Sequence, residues 1–238
     1  MPTKVFKQNL AEEVWYQTYK WETDNNVYGT FRRVAKKVAS IEKNPEEWEE
    51  KYFEMLSTMR FVPGGRILSN AGTSLKGTSM VNCFVSGFTG KNQDSIESIF
   101  DELKRQAKIL KSEGGYGFCV NALRPQGAYI KGIGSESPGP VTMLDLWDMV
   151  SQVITKGSTT RQNKEKGKNK IRKGALMVCL GVEMPDIEQF ITAKQTPGKL
   201  SKFNMSVLIS DTFMNAVKNN LPWNLEFPVI EFEKYNEE

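Results

Sequence analysis

Cys83 is the residue of this sequence best placed to do chemistry. It follows polar Asn82 at the head of a short apolar run, after the polar loop 72–79, whereas Cys119 and Cys179 sit inside apolar stretches. A free thiol in such a place is either a small buried hydrophobe or a nucleophile and electron donor, and spacing alone leaves both readings open. Cys119 and Cys179 read as structural. The three thiols lie 36 and 60 residues apart, so there is no C-x-x-C metal or redox motif. The chain contains no histidine, which removes a Ser-His-Asp triad, a Cys-His pair and any imidazole-ligated metal in one stroke. Acid–base work falls to carboxylates, thiols, Lys or Tyr, and no metal site is expected.

A second constellation suits an anionic ligand. Asp94-Ser95-Ile96 opens a helix and so presents backbone N–H groups beside a carboxylate. Helix N-termini favour phosphate, while an Asp carboxylate suits ribose hydroxyls. Arg124 and Lys131 flank the turn at 125–127 and would add positive charge. Each of these residues also has a plain reading, as a cap or a surface cation. The glycine-rich turns at 64–65, 114–117 and 132–134 serve equally as turns or as anion-holding backbone. Gly114-Gly115-Tyr116-Gly117 runs from a helix to a strand, the reverse of a dinucleotide fingerprint.

The elements that must position these groups fall into two styles. Residues 1–62 read as a helical region: Tyr28, Phe31, Val34, Val38 and Ile41 recur at spacings of three and four, and Asn44-Pro45-Glu46-Glu47 starts a further helix. A turn at Pro63-Gly64-Gly65 ends it. Over 63–238, strands are expected at 82–87, 116–120, 175–180, 203–209 and 223–227. Helices are expected between them, starting near Asp94-Ser95, Pro140, Pro185-Asp186 and Ser210-Asp211. Such alternation implies a mostly parallel sheet covered by helices.

The chain's 238 residues, 39% hydrophobic and 25% charged, can bury a real core. Its net charge of +4 is uneven: residues 161–173 alone carry +6, so the rest is mildly acidic. This basic insertion at 159–173 holds no aromatic residue and reads as a solvated loop, with nucleic-acid contact the minor alternative. An odd thiol count, no leader-like N-terminus and no long apolar stretch make a cytoplasmic chain without a membrane span the expectation.

In order, the segments FVPGGRILSNAGT (61–73), VNCFV (81–85), DSIESIF (94–100), GGYGF (114–118), LRPQGAYIKG (123–132), SPGPV (137–141), KIRKGALMVCL (170–180), PDIEQFI (185–191) and FNMSV (203–207) resemble the large (α) subunit of ribonucleotide reductases. The likeness runs from about residue 45 to the end, and the helices before it fit the family's helical N-terminal region.

The resemblance implies an α/β fold: a helical N-terminal region followed by the first five-stranded half of a ten-stranded α/β barrel. It implies that Cys83 is one of two thiols that reduce the ribose 2′-carbon and end as a disulfide, with substrate contacts at Asn82 and Gly115. A deoxynucleoside triphosphate or ATP effector, bound at a dimer interface, maps onto Asp94, Ser95, Ile96, Arg124 and Lys131. The loop that relays effector identity maps onto 197–204, with Lys199, Lys202 and Asn204. Asn82 stands where the family often has a small hydroxylated residue, and Met184 where many relatives have His.

The radical cysteine, the second reducing cysteine and the C-terminal thiol tail belong to the family's second half-barrel. The expectation is therefore a split or truncated reductase, inactive alone and completed by a C-terminal half supplied as a separate chain. A ribonucleotide substrate, a thioredoxin- or glutaredoxin-type reductant and a homodimer complete the implied partners. Adenosylcobalamin is the expected radical source, with a metal-containing small subunit the alternative. The competing function is a non-catalytic nucleotide-binding or dimerisation module.

Overall fold

A computed structural model describes residues 5–130, 132–156 and 175–227. They form two compact units, each taken by itself: residues 5–84 with 110–115 and 155–156, and residues 85–109, 116–130, 132–154 and 175–227.

The first unit is helical. Helix α1 (Asn9–Val14) passes into a π-helical turn at Trp15–Tyr19, followed by α2 (Val27–Ala39), α3 (Pro45–Ser57) and α4 (Gly65–Asn70). The Asn26 side chain caps α2 by accepting the Gly29 N–H at 3.1 Å, and Lys36 and Lys37 close its last turn. Pro45 occupies the first turn of α3 with Glu46 and Glu47, as its sequence anticipates. Val27, Phe31, Val34 and Ala35 of α2 meet Leu56 of α3 and Leu68 and Ala71 from the end of α4 in one core. Helix α4 is an addition to the expected pattern, because the turn at 63–65 starts a helix instead of only ending one.

A buried ion pair anchors this bundle. Arg33 and Asp24 meet at 2.9 Å with side chains 8% and 2% exposed. The guanidinium also donates to the carbonyls of Tyr19 (3.2 Å), Leu68 (3.1 Å) and Ala71. Asp24 receives the Trp21 N–H at 2.9 Å and the Thr30 hydroxyl at 2.7 Å. Burial alone would raise the Asp24 carboxyl, but Arg33, Trp21 and Thr30 together hold it below its ordinary value.

The remaining elements are β1 (Cys83–Val85), α5 (Ile96–Lys111), β2 (Gly115–Cys119), β3 (Tyr129–Ile130), β4 (Ser135–Glu136), α6 (Gly139–Lys156), β5 (Leu176–Gly181), α7 (Ile187–Thr192), β6 (Phe203–Leu208) and α8 (Asp211–Lys218). The main sheet runs in the order β1-β2-β5-β6, with β2, β5 and β6 parallel. Tyr116 is level with Leu176 and Phe203, and Cys119 with Cys179 and Ser206. One face buries Tyr116, Phe118, Leu176, Val178, Leu180 and Phe203, with the Phe118 ring 5.2 Å from that of fully buried Trp147 on α6. Each such side chain removed from water contributes about 1.5–3 kcal/mol. The opposite face holds half-buried Cys119, Cys179 and Ser206 and exposed Met177 and Asn204. Period-two alternation explains the contrast, since neighbours along a strand point to opposite sides.

Four of the expected strands are present. The fifth, at 223–227, is not a strand among the described residues. Trp223 donates its indole N–H to the Val182 carbonyl at 3.2 Å and packs edge-on to Phe213, while the Glu226 N–H reaches the Glu183 carbonyl at 2.7 Å. The segment thus hangs from the residues just after β5, and no ladder forms. The turn at 132–134 joins the antiparallel pair β3-β4, where Gly134 adopts φ +61°. Residues 159–173 lie outside the described residues, as do 228–238. No helix of the described residues is long and apolar enough to cross a membrane.

Candidate functional site

Two of the expected sites can each be built within a single unit. The first surrounds Cys83, which is exposed at the head of β1. Three backbone and amide contacts fix the approach to it. Asn70 donates its amide to the Ser79 carbonyl at 2.8 Å, the Ser79 N–H reaches the Ser112 carbonyl at 3.0 Å, and the Gly115 N–H reaches the Asn82 carbonyl at 2.7 Å. Gly64 lies so near that a Cβ there would stand 2.8 Å from the Asn82 amide nitrogen. Behind it, buried Arg66 meets Glu113 at 2.7 Å, and Glu113 itself takes the left-handed φ of +65° that ends α5.

These bonds brace Asn82 and Gly115 while leaving the thiol open. Gly115 commits its N–H to Asn82, so that donor is already used and the expected backbone contact to substrate is not free at that atom. Sequence spacing leaves Cys83 between a packing role and a reactive one; in this chain its side chain is exposed and not part of the core.

The second site is a cavity of about 380 Å³ in the other unit. Asp94, Ser95, Ile96 and Arg124 all line it, joined by Ile130 and Gly139. Ser95, not Asp94, caps α5 by accepting the Ser98 N–H at 3.2 Å. Asp94 instead accepts the Arg124 N–H at 3.1 Å and its guanidinium Nε–H, while Arg124 Nη1 donates to the Tyr129 carbonyl at 3.3 Å. The pair ties the loop at 124 to the start of α5, thirty residues away in sequence. It also neutralises most of the charge that either side chain would offer a ligand. The cavity presents apolar walls and the N-terminus of α5 beside the Asp94–Arg124 pair. Lys131 lies outside the described residues.

The expected relay loop is built around two left-handed residues, Gly198 at φ +85° and Leu200 at +48°. Asp148 of α6 accepts the Lys202 N–H at 3.2 Å, and Lys194 donates to the Phe203 carbonyl at 2.6 Å. Lys199 is half-buried, Lys202 is exposed, and Asn204 lies exposed on β6.

Three features escape sequence reasoning. Asp186, at the expected start of α7, makes no side-chain cap there but accepts the Gln126 N–H at 3.1 Å, and burial raises its carboxyl above the ordinary value. A cavity of about 540 Å³ opens past the C-terminal end of β5, between Glu183, Trp223 and Glu226. Cys119 and Cys179 are direct register partners across β2 and β5. Among the described residues no group of three His, Cys, Asp or Glu is placed to hold a metal ion.

Comparison with known proteins places these features in context. Residues 5–76 match the family described as "Ribonucleotide reductase, all-alpha domain", and residues 81–238 match "Ribonucleotide reductase, barrel domain". The first match carries the likeness back to residue 5, beyond the expected start near 45. A vitamin B12-dependent ribonucleoside-diphosphate reductase of Mycobacterium tuberculosis is 34% identical over 194 residues, covering 79% of this chain and 25% of the relative. Its namesake from Thermoplasma acidophilum is 34% identical over 211 residues, covering 88% and 25%. A ribonucleoside-diphosphate reductase large subunit of Variola virus is 32% identical over 180 residues, covering 74% and 21%. The chain thus spans about a quarter of the length of the relatives it matches.

Proposed function

The chain belongs to the ribonucleotide reductase large-subunit family, and from that premise we propose that it forms the thiol-bearing first part of the barrel of an enzyme that reduces ribonucleotides to deoxyribonucleotides. The observation that carries this reading is the exposed Cys83 at the head of β1, braced through the Asn82–Gly115 bond. Removing a ribose 2′-hydroxyl as water consumes two electrons and two protons. Oxidation of two thiols to a disulfide supplies both. Cys83 provides one thiol. The second, and the cysteine that carries the radical, come from sequence outside residues 1–238. An external dithiol of the thioredoxin or glutaredoxin type then restores the pair.

The relatives' names support ribonucleoside diphosphates as the substrate class. The Asp94–Arg124 cavity is the proposed seat of a deoxynucleoside triphosphate or ATP effector, with Lys131 and the loop bearing Lys199, Lys202 and Asn204 as its further contacts. Adenosylcobalamin is the proposed radical source, in keeping with the vitamin B12-dependent relatives, and a metal-containing small subunit is the alternative. With no imidazole in the chain and no clustered donors among the described residues, these residues do not themselves fit a corrin or a metal. The radical generator is therefore assigned to the rest of the enzyme.

The test is turnover of ribonucleoside diphosphate by the enzyme assembled with its remaining part, with adenosylcobalamin or the small subunit added in separate arms. The 238-residue chain alone is expected to be inactive. Cys83→Ser is expected to abolish dithiol-supported turnover in the assembly and leave nucleotide binding intact. Unchanged turnover in Cys83→Ser sinks the reducing role and leaves the nucleotide-binding module as the better reading.

A further inference from the structure

Cys119 ends β2 and Cys179 lies in β5, and the parallel register makes them direct partners. Paired positions on adjacent strands put their side chains on the same face, with Cα atoms about 4.8 Å apart. That spacing lies within the about 4.4–6.8 Å between Cα atoms that disulfides span. Both thiols are free and half-buried, on the side of the sheet away from the aromatic core, where Met177 and Asn204 are exposed. Asn121 holds the first in place: its Oδ1 accepts the Cys119 S–H at 3.2 Å and the Gly181 N–H at 2.8 Å, bridging the ends of the same two strands.

From this geometry we propose that Cys119 and Cys179 form a second dithiol, separate from the Cys83 site, which low-molecular-weight disulfides oxidise to an intrachain cross-link between β2 and β5. The Cys119 thiolate attacks one sulfur of oxidised glutathione, forming a mixed disulfide and releasing one glutathione thiolate. The Cys179 thiolate then displaces the second glutathione. Overall two protein thiols and one glutathione disulfide become one protein disulfide and two glutathione thiols, so electrons and protons balance. The order follows from the environment of Cys179, whose thiol is pushed up by burial and by Cys119 beside it. It therefore acts as the resolving partner. The inference is independent of the reductase reading.

The experiment uses the complete 238-residue chain, reduced, freed of reductant and incubated with oxidised glutathione. Remaining thiols are alkylated, and the peptides are mapped without reduction. Cys119 and Cys179 should escape alkylation and be recovered as a linked pair of peptides, whereas exposed Cys83 should be found as free thiol or as its glutathione adduct. Dithiothreitol should restore both. In Cys179→Ser, Cys119 should stop at the mixed glutathione disulfide; in Cys83→Ser, the linked pair should persist. Full alkylation of Cys119 and Cys179 overturns the proposal, as does a link from either of them to Cys83 or to a second copy of the chain.

Discussion

Tyr116 donates a hydrogen bond from its hydroxyl to the carboxylate of Glu102, a side chain with no solvent exposure at all. The other Glu102 oxygen receives Arg105 Nε at 2.8 Å and the Ser86 hydroxyl at 3.1 Å, so a buried charge is satisfied on every side. The network pins α5 to the strands on either side of it, through Ser86 after β1 and Tyr116 in β2. Burial first, then the bond to Glu102, push the Tyr116 phenol well above its ordinary 10.0. Tyr116→Phe leaves a buried charged oxygen without a donor and should cost about 1–3 kcal/mol in urea unfolding. The unfolded chain releases this proton near pH 10.0 and the folded one only above it, so the stabilisation is complete below pH 10.0 and fades as pH rises beyond it. Tyr116→Phe should show a shallower alkaline fall than the parent.

The opposite pH sense holds in the helical unit. Asp24 is held below its ordinary 3.8, so its contribution is complete above pH 3.8 and is lost as pH falls through the depressed value. Asp24→Asn leaves Arg33 buried without its counter-charge, at a cost of about 3–5 kcal/mol. Acid titration of helicity by circular dichroism checks both halves: a lower midpoint at neutral pH, and a flatter acid limb below pH 3.8. An unchanged acid limb would assign that limb to other carboxylates.

The helices and four of the strands were legible because one-dimensional patterns encode them. Of the expected stripe on α2, Phe31 and Val34 are buried, whereas Val38 and Ile41 are exposed and Val27, Ala35 and Ala39 are buried instead; Ser210 caps α8 by accepting the Phe213 N–H at 3.2 Å, as its position suggests. The WNLEF segment misled because its alternation resembles a strand, while a contact forty-one residues away, Trp223 to Val182, decides where it goes. Helix α4 was hidden because two of its buried residues, Arg66 and Asn70, are polar, and the partners that satisfy them include Glu113 and the Ser79 carbonyl, which no local pattern in the sequence announces.

The candidate sites divide the same way. Residue types pointed to Asp94, Ser95, Ile96 and Arg124, and the fold gathers all four at one cavity. Their division of labour was not legible. Capping by Ser95 and pairing of Asp94 with Arg124 depend on a loop whose path no local signal specifies. Asp186 illustrates the same limit: its place before α7 suggests a cap, yet the Gln126 N–H sixty residues earlier claims it. Strand register, which sets Cys119 against Cys179, is likewise invisible until the sheet is assembled.

Gly139 offers a test of that assembly. Its φ is +78°, and a Cβ there would stand 2.8–2.9 Å from Gln126 atoms and from Asp186 Oδ1. Gly139→Ala should therefore cost about 1–3 kcal/mol from backbone strain alone, with the crowding added. Because Gly139 also lines the 380 Å³ cavity, nucleotide binding should weaken along with the melting temperature. Gly127→Ala is the control: it has a comparable φ of +80° but open space around it, so it carries strain without crowding.

Binding at the cavity can be separated from stability at Ile96, which lines it yet remains 61% exposed. A substitution at so open a position should shift stability by no more than about 0.5 kcal/mol. Ile96→Glu adds a negative charge in the first turn of α5, where the helix dipole tolerates it. The same carboxylate would face the phosphates of a bound deoxynucleoside triphosphate. Titration calorimetry should then show affinity reduced about ten-fold, equivalent to about 1.4 kcal/mol, with the melting temperature unchanged. Ile96→Gln, isosteric but uncharged, should retain most of the binding, because repulsion and not lost apolar contact is the operative effect. Equal losses in both variants would mean that the isoleucine packs on the base and that the phosphates lie elsewhere. Full affinity in both would remove the cavity from the effector site altogether.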